Sequence, residues 1–232
     1  MHYSRPQNQL RKTANAIALA RSSRFTGTSK RFRGSDRMDQ SDFSPPEDWY
    51  EPSSEATDGY KIIAQPPGEG YRHVVTPTEI RKRLSELPAS MTDPIERIQL
   101  SRMTRKKQTF PCYGMQWGTT LYLYPIEESL VEEFTCPPKP SVINEARQFG
   151  GRWRQDGACW TLEWTLTALK DFYLNNILIH ELGHLLDSRN TSYLDRERYA
   201  EWFALEYGYK PTLHRRRTAK SKRKVTRRHH SK

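Results

Sequence analysis

Ile177-Leu178-Ile179-His180-Glu181-Leu182-Gly183-His184-Leu185-Leu186-Asp187 is an apolar stretch interrupted by His-Glu-x-x-His. In a helix, four residues make just over one turn, so His180 and His184 lie on one face, one above the other. Two imidazoles held this way can bind one zinc ion. Glu181 falls beside them, where it can take a proton from a water at the ion. Upstream, Thr165 or Thr167 is a suitable N-cap, and the helix is expected to run to about Asp187. Leu169, Phe172, Ile177, Leu178 and Leu182 supply a broad apolar stripe for burial.

The chain turns at Ser188-Arg189-Asn190-Thr191, and a second helix is predicted from about Leu194 to Tyr207, ending at Gly208. It carries Glu197 and Glu201, four apart and on one face. A catalytic zinc takes three protein ligands and keeps one position open. The third ligand is therefore expected from this helix. One carboxylate would bind the ion, and the other would accept the spare N–H of a ligand imidazole. Ala200 and Ala204 keep the helix slim where it would cross the first.

The pattern His180-Glu181-Leu182-Gly183-His184 with Glu197-x-x-Ala200-Glu201-x-Phe203-Ala204 resembles the gluzincin metallopeptidases. It is most similar to the lethal-factor-type and ImmA/IrrE-type peptidases. That resemblance covers about thirty residues, Asn175 to Gly208. It implies that Glu197 is the third metal ligand, that Glu201 lies in the shell behind the ligands, and that Glu181 is the general base. It also implies an α+β, minimal zincin-like domain, with a small, mostly antiparallel sheet packed on the active-site helix. The expected activity is that of a zinc-dependent metalloendopeptidase (a hydrolase) with Zn2+ as cofactor and a protein or peptide as substrate. In related folds an edge strand before the zinc helix aligns the substrate by backbone pairing, and here it would lie within Met115–Trp164. The reaction also needs a donor for the oxyanion, for which Tyr193 and Tyr199 are near in sequence, with Tyr193 the chosen candidate. Twelve residues separate His184 from Glu197, fewer than is usual in these families, so the loop must be tight. The competing metzincin pattern would need a glycine at Asp187 and a histidine at Asn190, and it is disfavoured on both counts.

The rest of the sequence supplies the frame. Thr76-Pro77-Thr78-Glu79 is a capping-box helix start, with an expected stop at Pro88. Thr92-Asp93-Pro94 reads as the start of a second helix over Ile95–Met103. Met115–Tyr124 and Ser129–Thr135 are β-like, and Pro140–Phe149 is a helix closed by Gly150-Gly151. Asp156-Gly157 marks a hairpin whose second arm has Trp160, Leu162 and Trp164 on one face.

Charge divides the 232 residues into three parts. Residues 1–37 hold nine Lys/Arg and one acid; residues 210–232 hold eleven Lys/Arg and no acid. The remaining 18 basic and 26 acidic residues leave residues 38–209 with a net charge of −8. The pI of 9.6 thus describes two basic arms on an acidic body. A mean hydropathy of −0.90 supports long disordered parts. We therefore expect a disordered arm and acidic Pro/Ser linker over 1–58, the metallopeptidase domain over 59–209, and a polybasic tail over 210–232. The tail has no aromatic residue for bases to stack on, so any contact with DNA or RNA would be non-specific. Arg102, Arg105, Lys106 and Lys107 form a further basic cluster, expected to be a solvated loop. Cys112, Cys136 and Cys159 are widely spaced and odd in number, which argues against a disulfide framework and for a reducing compartment. No apolar run approaches the ~20 residues of a transmembrane helix. The expected location is cytoplasmic, with nuclear or organellar alternatives in a eukaryotic host. The rival function is a nucleic-acid-associated protein with a structural or catalytically inactive zinc site.

Overall fold

The computed structural model describes residues 46–51, 59–109, 112–134, 137–157 and 159–213. The 1–37 arm, most of the 38–58 linker and residues 214–232 of the tail lie outside the described residues. The chain opens with strands β1 (Lys61–Ala64) and β2 (Tyr71–Arg72), then helix α1 (Pro77–Leu84). The capping box forms as its residues predict: the Thr76 hydroxyl accepts from the Glu79 amide and the Glu79 carboxylate accepts from the Thr76 amide. A short helix α2 (Ala89–Thr92) precedes strand β3 (Arg97–Leu100), and helix α3 (Arg105–Thr109) leads to the hairpin of β4 (Gly114–Trp117) and β5 (Thr120–Leu123). Then follow β6 (Ile126–Glu127), β7 (Val131–Phe134), helix α4 (Pro140–Gln148), and the hairpin of β8 (Arg152–Asp156) and β9 (Cys159–Glu163). Gly157 turns that hairpin at φ +56°.

The principal sheet has the order β1-β3-β5-β4. Its first three strands are parallel, and only the edge strand β4 is antiparallel. The sheet on the His180–His184 helix is thus mixed, not mostly antiparallel, although the β4–β5 pair nearest that helix is antiparallel. The other pairings, β2–β6, β7–β9 and β9–β8, are antiparallel. The coarse α+β class stands.

β3 replaces the helix expected over Ile95–Met103. Ile95 and Ile98 are three apart, which suggested a helix. In the structure the strand lies between β1 and β5, and even Gln99 is 1% exposed. A strand buried on both faces loses the polar–apolar alternation that would have marked it.

Register assigns the faces. Ile62, Ile98, Leu121 and Gln116 lie in one row, and Ala64, Leu100, Leu123 and Gly114 in another. Both rows share the face turned to the helices. The opposite face carries Ile63, Gln99, Tyr122 and Met115. The linker residues 46–51 lie on this second face: the Tyr50 amide donates to Tyr122 Oη, Arg102 pairs with Asp48 at 3.3 Å, and Arg97 sits over the Tyr50 ring. Residues 48 and 50, which fall in the expected linker, thus contact this sheet and the segment following β3.

Thr165 caps a helix that continues to Leu186 as α5 (Leu166–Phe172), one π-helical turn (Tyr173–Ile177) and α6 (Leu178–Leu186). Leu169, Phe172, Ile177, Leu178 and Leu182 are all at most 2% exposed, as the stripe predicts. Trp164 stacks on Phe172 at 5.0 Å, joining the β7-β9-β8 sheet to this helix. Ser192 caps α7 (Tyr193–Phe203), which passes into a second π-helical turn (Ala204–Tyr209). Gly208 does not end the helix, whose backbone continues through residue 213, four residues into the expected tail. A Cβ at Gly208 would collide with the Asn175 carbonyl oxygen, so glycine there allows the two wide turns to touch. Arg83 from α1 donates to Asn175 Oδ1 at 2.6 Å and to the Tyr207 carbonyl, giving partners to groups at the π turns.

Candidate metal centre

α6 and α7 pack closely because Gly183 has no side chain. A Cβ there would meet Ala200 Cα and Phe203 Cβ, each at 3.0 Å. The crossing brings Glu197 of α7 to the two histidines of α6. His180 Nε2 and His184 Nε2 lie 3.1 Å apart; Glu197 Oε1 is 3.2 Å from His184 Nε2, and Oε2 is 3.6 Å from His180 Nε2. Ligands at ~2.0–2.1 Å from a tetrahedral zinc would lie roughly 3.3 Å from one another, the spacing these three side chains already have.

The group is nearly dry. His180, Glu181 and Glu197 are buried and His184 is partly so. Burial opposes ionisation of Glu197, but the adjacent His180 and His184 imidazoles outweigh it and hold its carboxyl well below the ordinary range. Glu197 Oε2 nevertheless has no hydrogen-bond partner among the described residues. A buried carboxylate oxygen facing two imidazole nitrogens, without a donor of its own, fits a cation-binding donor set. His180, His184 and Glu197 can together hold a metal ion.

The tight loop has a specific support. Asp187 Oδ1 accepts from the amides of Arg189 and Asn190, and both Asp187 oxygens accept from Asn190 Nδ2 at 3.0–3.1 Å. Burial works against the Asp187 charge, but these bonds and the charge of Arg196 prevail and lower its pKa. Arg196 also donates to the His184 carbonyl, tying the end of α6 to the start of α7. Asn190, which occupies the third-histidine position of the metzincin pattern, thus serves the loop.

Glu181, also on α6, has its carboxylate against the backbone of edge strand β4. A Cβ on Gly114 would lie 2.9 Å from Glu181 Oε1 and 2.7 Å from Ile177 Cγ2. Gly114 escaped the sequence reading; its signal was a lone glycine next to a β-like run, which marks close backbone approach. Tyr113, just before it, donates to the buried carboxylate of Glu132 at 2.7 Å, which also accepts from Trp164 Nε1 at 3.0 Å. This network anchors the start of β4.

The remaining candidates lie elsewhere on α7. Glu201 is exposed and lies outside the His180–His184–Glu197 group. Tyr193 is the first residue of α7 and is half-buried. Tyr199 packs against Trp202 and Phe203, with Arg189 over its ring. In the basic cluster, Lys107 is buried at 6% exposure, not solvated. No helix among the described residues is long and apolar enough to cross a membrane. No protein-family model matches this chain, and no curated protein and no solved structure matches it either.

Proposed function

We propose that the chain is a zinc-dependent metalloendopeptidase. The observation that carries this reading is the convergence of His180, His184 and Glu197 at tetrahedral-ligand spacing around an unpartnered Glu197 oxygen, with Glu181 on the same helix. Zinc held there would supply the Lewis acidity that activates water and polarises a scissile carbonyl.

The chain's own residues take the other roles. Glu181 accepts a proton from the attacking water and returns it to the leaving amine. Burial excludes bulk water from its carboxylate, and Gly114 brings the β4 backbone beside it. β4 is the last strand of its sheet, so its outer edge can receive an extended peptide by backbone pairing. Tyr193 is the candidate donor to the oxyanion. Glu201 is kept as an outer-shell residue in this reading, although its exposed position supports only a weak influence on the ligands.

The rival is a structural metal site in a protein that contacts nucleic acid through its basic tail. Glu181→Gln separates the two: in a peptidase it abolishes cleavage and leaves metal content and fold intact, whereas a structural site has no cleavage to lose. Retention of a measured peptidase activity by Glu181→Gln would overturn the assignment of the base.

A further inference from the structure

We propose that Lys107 and Cys112 form an oxidative, thiol-reversible covalent link. Lys107 Nζ lies 3.1 Å from Cys112 Sγ and 4.2 Å from the centre of the Tyr124 ring. Both Lys107 and Tyr124 are more than nine-tenths buried. Glu47 and Asp48 line the same recess as this ammonium without an ion pair to it among the described residues, and Tyr124 Oη has no hydrogen-bond partner. An amine is thus held against a thiol and over a ring face.

An oxidant can reach the pair. Cys112 is half-buried, and Lys107 and Tyr124 line a small recess that opens to solvent. The recess lies beyond the C-terminal ends of β1, β3 and β5, where Gln65, Ser101 and Tyr124 follow the three parallel strands. It is otherwise lined by Pro46 and by polar or charged side chains, among them Glu47, Asp48 and Gln99, whose Oε1 is also buried without a partner.

The chemistry balances with a peroxide as oxidant. Hydrogen peroxide converts the Cys112 thiol to a sulfenic acid: the O–O bond breaks, sulfur loses two electrons, and one water leaves. Lys107, after giving its ammonium proton to solvent, attacks Sγ through the Nζ lone pair. The S–N bond forms, the S–O bond breaks, and the departing hydroxide takes a proton from nitrogen to leave as a second water. Where a further peroxide first oxidises Nζ to a hydroxylamine, condensation with the sulfenic acid gives S–O–N instead, with three waters from two peroxides. Either product ties α3 to the segment entering β4, two residues before the glycine that lies against Glu181.

The test is peptide mapping of the full-length protein after mild hydrogen peroxide treatment, with and without dithiothreitol. The link removes about 2 Da as S–N or adds about 14 Da as S–O–N, and it blocks trypsin after Lys107. Fragment ions should place the change across Lys107 and Cys112, and dithiothreitol should reverse it. Lys107→Arg, which keeps the cation and lacks the nucleophilic amine, and Cys112→Ser should both lose the product. Wild-type protein oxidised in guanidinium chloride should lose it too, a control that needs no variant to fold. Normal cleavage after Lys107, with Cys112 carrying only added oxygens or a disulfide, would overturn the proposal.

Discussion

The two helices that meet at the candidate metal centre are built differently. α6 is enclosed over most of its length: every residue from Leu178 to Gly183 is buried, and only His184, Leu185 and Leu186 at its end are partly exposed. α7 is half-open: Glu197, Ala200 and Phe203 are buried, while Leu194 and Trp202 are 45% and 47% exposed. One helix presents two donors from within the core; the other brings a single donor in from the surface. Two of the three candidate donors thus sit on the more enclosed helix, and the third depends on the loop and the helix crossing that aim it.

This contrast sets the order of the expected effects. The largest belongs to Glu181→Gln, which should reduce peptide cleavage by roughly 100- to 10,000-fold, the usual contribution of a general base, with zinc content unchanged. Kinetics alongside metal analysis checks it. Next, His180→Ala and Glu197→Ala should each weaken zinc binding more than roughly 100-fold, beyond the 10–100-fold typical of outer partners. Glu201→Ala, one turn along α7, should change it by only a few-fold. A zinc titration in which Glu201→Ala outweighs Glu197→Ala would reverse the roles assigned to the two carboxylates.

The crossing itself can be broken. Gly183→Leu places a side chain where Ala200 and Phe203 already sit at 3.0 Å, and overpacking of this kind costs about 1–3 kcal/mol. Denaturant melts should show that loss, and zinc affinity should fall with it because Glu197 is displaced.

A further effect concerns the loop. Asp187→Ala should cost about 1–3 kcal/mol at neutral pH through the bonds it removes from Asn190 and Arg189. The Asp187 pKa is lowered in the fold, so its contribution is present above the ordinary carboxylate range. It is lost as pH falls through the lowered folded value, and the gap between wild type and Asp187→Ala in melts should close in acid.

The same contrast explains what could be read from sequence. The continuous helix from Leu166 to Leu186 was legible because its period, its cap at Thr165 and its apolar stripe all signal locally. The hairpin at Gly157 and the capping box at Thr76 were legible for the same reason. β3 was not, since burial on both faces removed its alternation. Gly208 looked like a helix stop, but its meaning depends on Asn175, which packs against it from another helix. At the site, spacing supplied His180, His184 and two candidate carboxylates; burial then separated Glu197 from Glu201. Gly114 and Asp187 act through close approach and loop hydrogen bonds, which no periodicity encodes.

The central claim is a zinc ion held by two imidazoles and one carboxylate. X-ray absorption at the zinc edge, on full-length protein with its metal content measured, tests it most directly. The expected spectrum is that of one zinc per chain in a four-coordinate nitrogen and oxygen environment with two histidines, lost in His180→Ala. Zinc absent after reconstitution, or bound through sulfur, would contradict it.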